Sequence, residues 1–431
     1  MRICLLVGGS RGDFEPLLGL ALGLRDAGHA IVWGGSATGG TAHIQQVIAR
    51  NGFEDCQLLP DAAASIAVSS GQYDDVCEVL DRAAATIARR LPEYVNHCRT
   101  LMARVDALIG VGGSAWICAA AAAEAAGVPS YFLCMNPALL RSDLYPSHLQ
   151  AHREDARLHD GSEGSRRINR IGWMGFDAMQ EVAFRGTSDD ARRAFGLPPA
   201  GSHSSPAAIA GRTIFAIDDL ILPGPPDARV PYTQTSNLRL QAEPLSPELD
   251  AVFEDDRPLF YFGFGSFGSR EPARMQNMAA RLAATLDIRA LVADPTATTV
   301  SRHPDSKNVF MVGDVSHRSL FPRLAGVVHH GGAGTTANAA WAGVPQIIVP
   351  HQFDQFVYAH RIGQLGLGFN CGPSSAVDDD VLEAAGRCAM TGEVRERCRE
   401  LGERLAGRDG VRTTVALLER WLAGDVKTGS T

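Results

Sequence analysis

Residues 326–355 read GVVHHGGAGTTANAAWAGVPQIIVPHQFDQ, and this stretch decides how the rest of the chain is read. Val327, Val328 and His329 finish an apolar run of the kind a buried strand needs. His330 to Thr335 is a glycine-rich turn, Thr336 to Ala342 is Ala-rich and helical in composition, and Gly343 marks a helix end. Val344-Pro345 leads into a second strand, Gln346 to Val349, which stops at Pro350. Glycines let a backbone approach a bulky anion, and the N–H groups at a helix start favour negative charge there. His330 and Thr335 add side-chain donors. The second strand runs into His351-Gln352-Phe353-Asp354-Gln355, a polar cluster at a carboxyl edge, where open α/β sheets hold ligands.

The chain upstream has the same grammar. Ile3 to Val7 is a continuous apolar strand, Gly8 to Asp13 is a turn, and Pro16 is placed in the first turn of a helix that Gly28 closes. His29 to Trp33 is the next strand. The turn GGSRGD lacks GxGxxG spacing, and the second strand ends in Gly34-Gly35-Ser36 where a nicotinamide enzyme needs an acidic ribose ligand, so that class is disfavoured. Asp74 to Arg104 reads as helix, Ala107 to Val111 and Pro129 to Cys134 as strands, and Ile214 to Ile217 as the last strand of this half. Between them, Ser142 to Ser205 is charged and loop-rich but carries Trp173, Met174, Phe176, Met179, Val182 and Phe184. Two readings stay open there: a packed amphipathic helix, or a mobile wall of an acceptor pocket.

Leu222 to Pro247 is proline-rich and marks a boundary. Beyond it, strands at Leu259 to Phe264, Ala290 to Ala293 and Val309 to Val312 alternate with helices, and the first leads to the turn Gly265-Ser266-Phe267-Gly268-Ser269. Strands alternating with helices in both halves predict an α/β protein of two doubly wound, Rossmann-like parallel-sheet domains facing a cleft. The expected division is an N-terminal domain over 1–222, a linker over 223–247 and a C-terminal domain over 248–410. A last helix and tail cover 411–431, with packing back on the N-terminal domain as one placement.

At 431 residues the chain can bury two cores, and with 45% hydrophobic and 20% charged residues it reads as globular. A net charge of −8 gives no reason to expect nucleic acid or an anionic membrane. Nine scattered cysteines without a CxxC pair favour a reduced compartment. Met1-Arg2-Ile3 runs straight into a strand, and the longest apolar stretch, Val111 to Ala126, is too short and mixed to span a bilayer. A cytoplasmic protein without stable membrane insertion is expected.

Taken together, HHGGAGT, the following AGVPQ, the Asp354-Gln355 pair and the N-terminal SRGD-x-x-P turn (Ser10 to Pro16) resemble the family 1 glycosyltransferases. The likeness is to bacterial enzymes that glycosylate antibiotics and to sterol glucosyltransferases. It implies the GT-B arrangement, with the acceptor on the N-terminal domain and the nucleotide sugar on the C-terminal one. It also implies roles: His330 and Thr335, with Gly332 and Gly334, hold the diphosphate; Ser266 lies near the phosphates; Asp354 and Gln355 hold sugar hydroxyls; the backbone at Val315 reads the base. Asp13 matches the catalytic base, with Ser10 and Arg11 beside it; Arg11 would pair with Asp13 or reach the phosphates. His329 has no counterpart and reads as a strand-end side chain with a structural hydrogen bond. Where many plant relatives carry a ribose-binding glutamate, this chain has Asn338, which fits a thymidine (dTDP) donor without excluding UDP.

No metal or cofactor is expected. Asp378-Asp379-Asp380 mimics a DxD metal motif, but a helix follows directly, so charge at a helix N-terminus is the better reading, and no His/Cys cluster has ligand spacing. Asp13 has its own tension, because a helix start stabilises the carboxylate and weakens it as a base; without it, His148 or no protein base at all remains. The resulting expectation is an inverting, metal-independent glycosyltransferase acting on a hydroxyl of a hydrophobic small molecule such as an antibiotic or polyketide aglycone. The alternatives are a sterol or lipid glucosyltransferase, a nucleotide-sugar epimerase, and a non-catalytic partner of a transferase.

Overall fold

The computed structural model describes residues 1–8, 11–35, 42–56, 76–111, 116–147, 162–200, 212–265, 272–294, 296–351 and 354–428. Its first sheet has seven strands: β1 (Arg2–Val7), β2 (Ala30–Trp33), β3 (Glu54–Asp55), β4 (Ala107–Val111), β5 (Ser130–Cys134), β6 (Thr213–Phe215) and β7 (Tyr232–Gln234). They are parallel and ordered β3-β2-β1-β4-β5-β6-β7, so the winding reverses between β1 and β4. Ile3 to Val7 and Ala107 to Val111 are buried on both faces, which is why these strands are unbroken apolar runs.

The second sheet is built from β8 (Leu259–Gly263), β9 (Arg289–Ala293), β10 (Ser301–Arg302), β11 (Val309–Val312), β12 (Gly326–His329), β13 (Gln346–Ile348) and β14 (Gly368–Asn370). Its order is β10-β11-β9-β8-β12-β13-β14, and here the winding reverses between β8 and β12. The two-residue edge strand β10 runs antiparallel to β11, so this sheet is not wholly parallel as expected.

The chain divides into two compact units. One comprises Met1–Asp219, Pro223–Leu240 and Asp409–Thr431, and the other Leu220–Leu222 and Gln241–Arg408. The expected last strand of the first half is therefore not the last. The proline-rich stretch read as a linker from 223 onward contributes β7, which pairs Thr213 to Phe215 with Tyr232 to Gln234. The short run Tyr-Thr-Gln lacks an apolar signature because edge strands need none; its side chains are only partly buried.

The closing helix, Gly410–Thr428, is part of the first unit. Leu417, Leu418 and Leu422 join the core of the helix Arg11–Asp26, and Trp421 stacks on Tyr131 with centroids 5.7 Å apart. Gly23 permits this approach, since a Cβ there would lie 2.4 Å from Val411 Cγ1.

In its packing, the described part of the 142–205 stretch matches the first of its two readings. Glu163–Ala194 is one 32-residue helix, started by the Ser162 side chain accepting from Ser165 N–H. Trp173, Phe176 and Phe184 are buried, while Met174 and Val182 are 60% and 84% exposed, so this is a packed amphipathic helix with some apolar residues outward. Among the described residues no helix is long and apolar enough to cross a membrane.

Candidate donor site and base

Each unit carries its candidate residues at the point where its sheet reverses direction, the place where open α/β sheets leave a crevice beyond their carboxyl edges. In the second unit the crevice lies between β8 and β12. Beyond β12 the helix begins at Ala333, a turn earlier than composition suggested, because Thr336 N–H bonds to Gly332 carbonyl and closes the first turn. Gly334 and Thr335 are therefore helical. Gly332 occupies the N-cap, and no side chain caps the helix. By helix geometry the N–H groups of Ala333, Gly334 and Thr335 have no acceptor within the helix, which leaves a positive end facing outward.

The His330 ring lies beside this helix start, between Gly332 and Gly265. Two glycines make room for its ring: a Cβ at Gly332 would lie 2.6 Å from Nε2, and one at Gly265, after β8, 3.0 Å from Cε1. Burial pushes His330 down to about 4, with His351 nearby adding to the effect and a hydrogen bond to the Gly263 backbone opposing it. The imidazole is neutral at ordinary pH. Neither Gly265 nor the backbone role of Gly331 was legible in sequence, because a GG pair does not say which glycine turns left-handed. It is Gly331, at φ +90°.

Beyond β13, His351 Nδ1 donates to Val349 carbonyl over 2.9 Å, and its ring lies edge-on to Phe264. Gln355 is buried, and its Oε1 accepts from His351 N–H over 2.8 Å. One polar atom of Gln355 thus ties this turn together. Asp354 holds the N-cap position of the next helix without its side chain capping it. Val315 follows β11 and packs, partly buried, against the apolar cluster that includes Leu320 and Phe321. Ser266 lies outside the described residues.

In the first unit, Asp13 is not in a turn before the helix, as read from sequence, but in its first turn, since the helix starts at Arg11. Pro16 lies inside it. Pro16 is therefore past the first turn in which it was expected, and the hydrogen bond it cannot make would have gone to Gly12. Asp13 is half-buried and stands at the β1/β4 reversal. Ser10 and His148 lie outside the described residues, and only the backbone of Arg11 is described.

The acidic triplet is settled by geometry. Asp378 caps the helix Asp379–Ala389, accepting from Val381 N–H over 2.9 Å, and Asp379 pairs with Arg281. Its carboxylates serve a helix start.

Residues 278–414 match the family profile described as the C-terminal domain of erythromycin biosynthesis protein CIII-like proteins. Over 402 residues, covering 92% of each chain, the sequence is 30% identical to the vancomycin aglycone glucosyltransferase of Amycolatopsis orientalis. The chain belongs to the family 1 antibiotic glycosyltransferases. The dTDP-epi-vancosaminyltransferase of the same organism is 27% identical over 419 residues, again covering 92% of each. The solved structure of the glycosyltransferase VinC in complex with dTDP superposes with a TM-score of 0.66 at 18% identity, covering 98% of this chain and 100% of that one. This glycosyltransferase thus has the GT-B fold.

Burial of His329 predicts that the enzyme loses stability in acid. His329, whose ordinary value is 6.5, is pushed down to about 3, chiefly by burial and then by His330. Its folded-state value is depressed, so the unfolded chain takes up the proton first as pH falls. The contribution to stability is whole above pH 6.5 and is lost progressively toward the folded value. Denaturant midpoints between pH 7 and 4 are expected to fall with pH, and less steeply in His329→Asn. An identical slope in both proteins would show that this histidine is not responsible.

Proposed function

We propose that this glycosyltransferase moves a sugar from a nucleoside diphosphate donor, dTDP at least as readily as UDP, to a hydroxyl of a hydrophobic natural-product aglycone, in one inverting step without a metal. The observation that carries the donor assignment is the uncapped helix start at Gly332, with His330 held between Gly265 and Gly332 beside it. Three N–H groups and the Thr335 hydroxyl are a ready cradle for a diphosphate. In the reaction the acceptor oxygen bonds to the anomeric carbon, and the bond from that carbon to the diphosphate oxygen breaks with its electron pair on the leaving group. The acceptor proton passes to Asp13. The developing charge on the diphosphate is met by the helix end and its donors, a role that other enzymes assign to a metal.

The thymidine assignment rests on Asn338, which supplies no carboxylate for a ribose, and accords with the printed names of the relatives that use or bind dTDP. In a displacement titration dTDP is expected to compete at least as well as UDP, and a strong uridine preference would reverse the assignment. His330→Ala and Thr335→Ala should each weaken dTDP binding, while turnover persists in chelator. Loss of turnover on chelation, restored by magnesium, would overturn the metal-free step. Incubation with nucleotide sugar alone, then with an aglycone panel, tests the transfer itself. A new sugar epimer without acceptor, or no product with any acceptor, would favour the other readings.

A further inference from the structure

His329 is fully buried at the end of β12, whereas His330, the next residue, is only partly so. Its Nδ1 accepts the backbone N–H of Gly331 over 3.1 Å, and its Nε2 lies 3.0 Å from Gln346 Oε1 on β13. These two distances fix a proton. An amide N–H can only donate, so Nδ1 must present its lone pair, and the single ring proton of the neutral imidazole is on Nε2. The Gln346 amide must then offer its oxygen, since the flipped orientation would set two donors face to face. Register makes the contact possible: His329 pairs with Ile348, and Gln346 is two residues earlier on the same face of the neighbouring strand.

We infer that Gln346 and His329 form a positioning pair that locks the donor turn, with Gln346 selecting the Nε2–H tautomer so that Nδ1 can hold Gly331. The inference rests on the donor-site reading above. Gly331 connects the two groups that would meet the diphosphate, His330 and the N-cap Gly332. Without an acceptor for its N–H, the left-handed backbone of Gly331 is free to turn, and the free N–H groups at Ala333 to Thr335 lose their common direction. Burial keeps the His329 ring neutral, so the tautomer is stable at all working pH values.

The test compares His329→Leu, His329→Asn, Gln346→Met and Thr335→Ala in dTDP binding by calorimetry, in donor and acceptor KM, and in imidazole 15N spectra. The asparagine oxygen can replace Nδ1, whereas leucine cannot. His329→Leu is expected to weaken dTDP binding about 10-fold or more, and His329→Asn by no more than about 3-fold, with acceptor KM unchanged in both. The wild-type spectrum should show His329 protonated on Nε2 alone. Gln346→Met should mix the tautomers and weaken dTDP binding several-fold. Equal effects of leucine and asparagine in folded proteins, or a wild-type ring protonated on Nδ1, would overturn the inference. Should His329→Leu not fold, Gln346→Met and the wild-type tautomer decide. Weakened binding in Thr335→Ala beside full affinity in His329→Leu removes the inference alone. Full affinity in both removes the donor site and the inference with it.

Discussion

Asp13→Asn is expected to lower turnover by roughly 10²–10⁴-fold while the protein remains folded, the range typical of a lost general base. The substitution keeps size and hydrogen-bonding ability but removes basicity. Asp13 lies in the first turn of the helix Arg11–Asp26, so the charge lost also stabilised that helix end. That contribution is about 0.3–1 kcal/mol, far too small to unfold a unit of this size. Donor affinity should be unchanged, because the diphosphate residues belong to the other unit's sheet. The pH profile offers a second readout. In wild type the acid limb of kcat should report the carboxylate, and in the variant that limb should disappear. Near wild-type turnover on a hydroxyl acceptor, in a variant with an unchanged melting midpoint, would place the base elsewhere.

Gly331→Ala should abolish useful donor binding, weakening dTDP by roughly 10²-fold. Two costs add. The backbone at φ +90° is one that L-residues rarely adopt, at about 1–2 kcal/mol. A Cβ there would also lie 2.8 Å from Ile348 Cγ2 and 2.9 Å from the Gln355 carbonyl oxygen. Overpacking of that kind costs about 1–3 kcal/mol when neighbours cannot move, and one of these neighbours is backbone. The strain can be relieved by rotating the turn, which re-aims His330 and the helix start together. Gly392→Ala serves as contrast. Its added Cβ meets nothing within 4 Å and lies in the helix Gly392–Ala406, away from the donor turn, so donor binding should tolerate it far better. Equal binding by the two variants would show that the turn's backbone does not shape the site.

Much of this enzyme is local and was legible. Apolar runs such as Ile3 to Val7 and Ala107 to Val111 have to be buried on both faces, so a parallel sheet followed from residue type alone. The turn at 330–335 declared itself through glycines beside hydroxyl and imidazole donors. Boundaries held where a strong signal stood at the edge, as at Gly343, which closes its helix left-handed at φ +67°. They slipped where the signal was permissive. Pro16, expected in the first turn, lies deeper inside the helix, and so Asp13 belonged to the first helical turn instead of the loop before it.

The remainder depends on partners distant in sequence. Nothing in Tyr232 to Gln234 announces a strand; β7 exists because Thr213 to Phe215 offers it an edge. The closing helix belongs to the first unit because Gly23 is small enough to admit Val411 and because Tyr131 presents a face to Trp421. His329 and His330 are neighbours of identical type, and sequence could separate them only by likeness to a family. Strand alternation sends their rings to different surroundings, one to Gln346 inside the sheet and the other to the gap between Gly265 and Gly332. A residue's type sets what chemistry it can do, and the strand register sets which partner receives its proton.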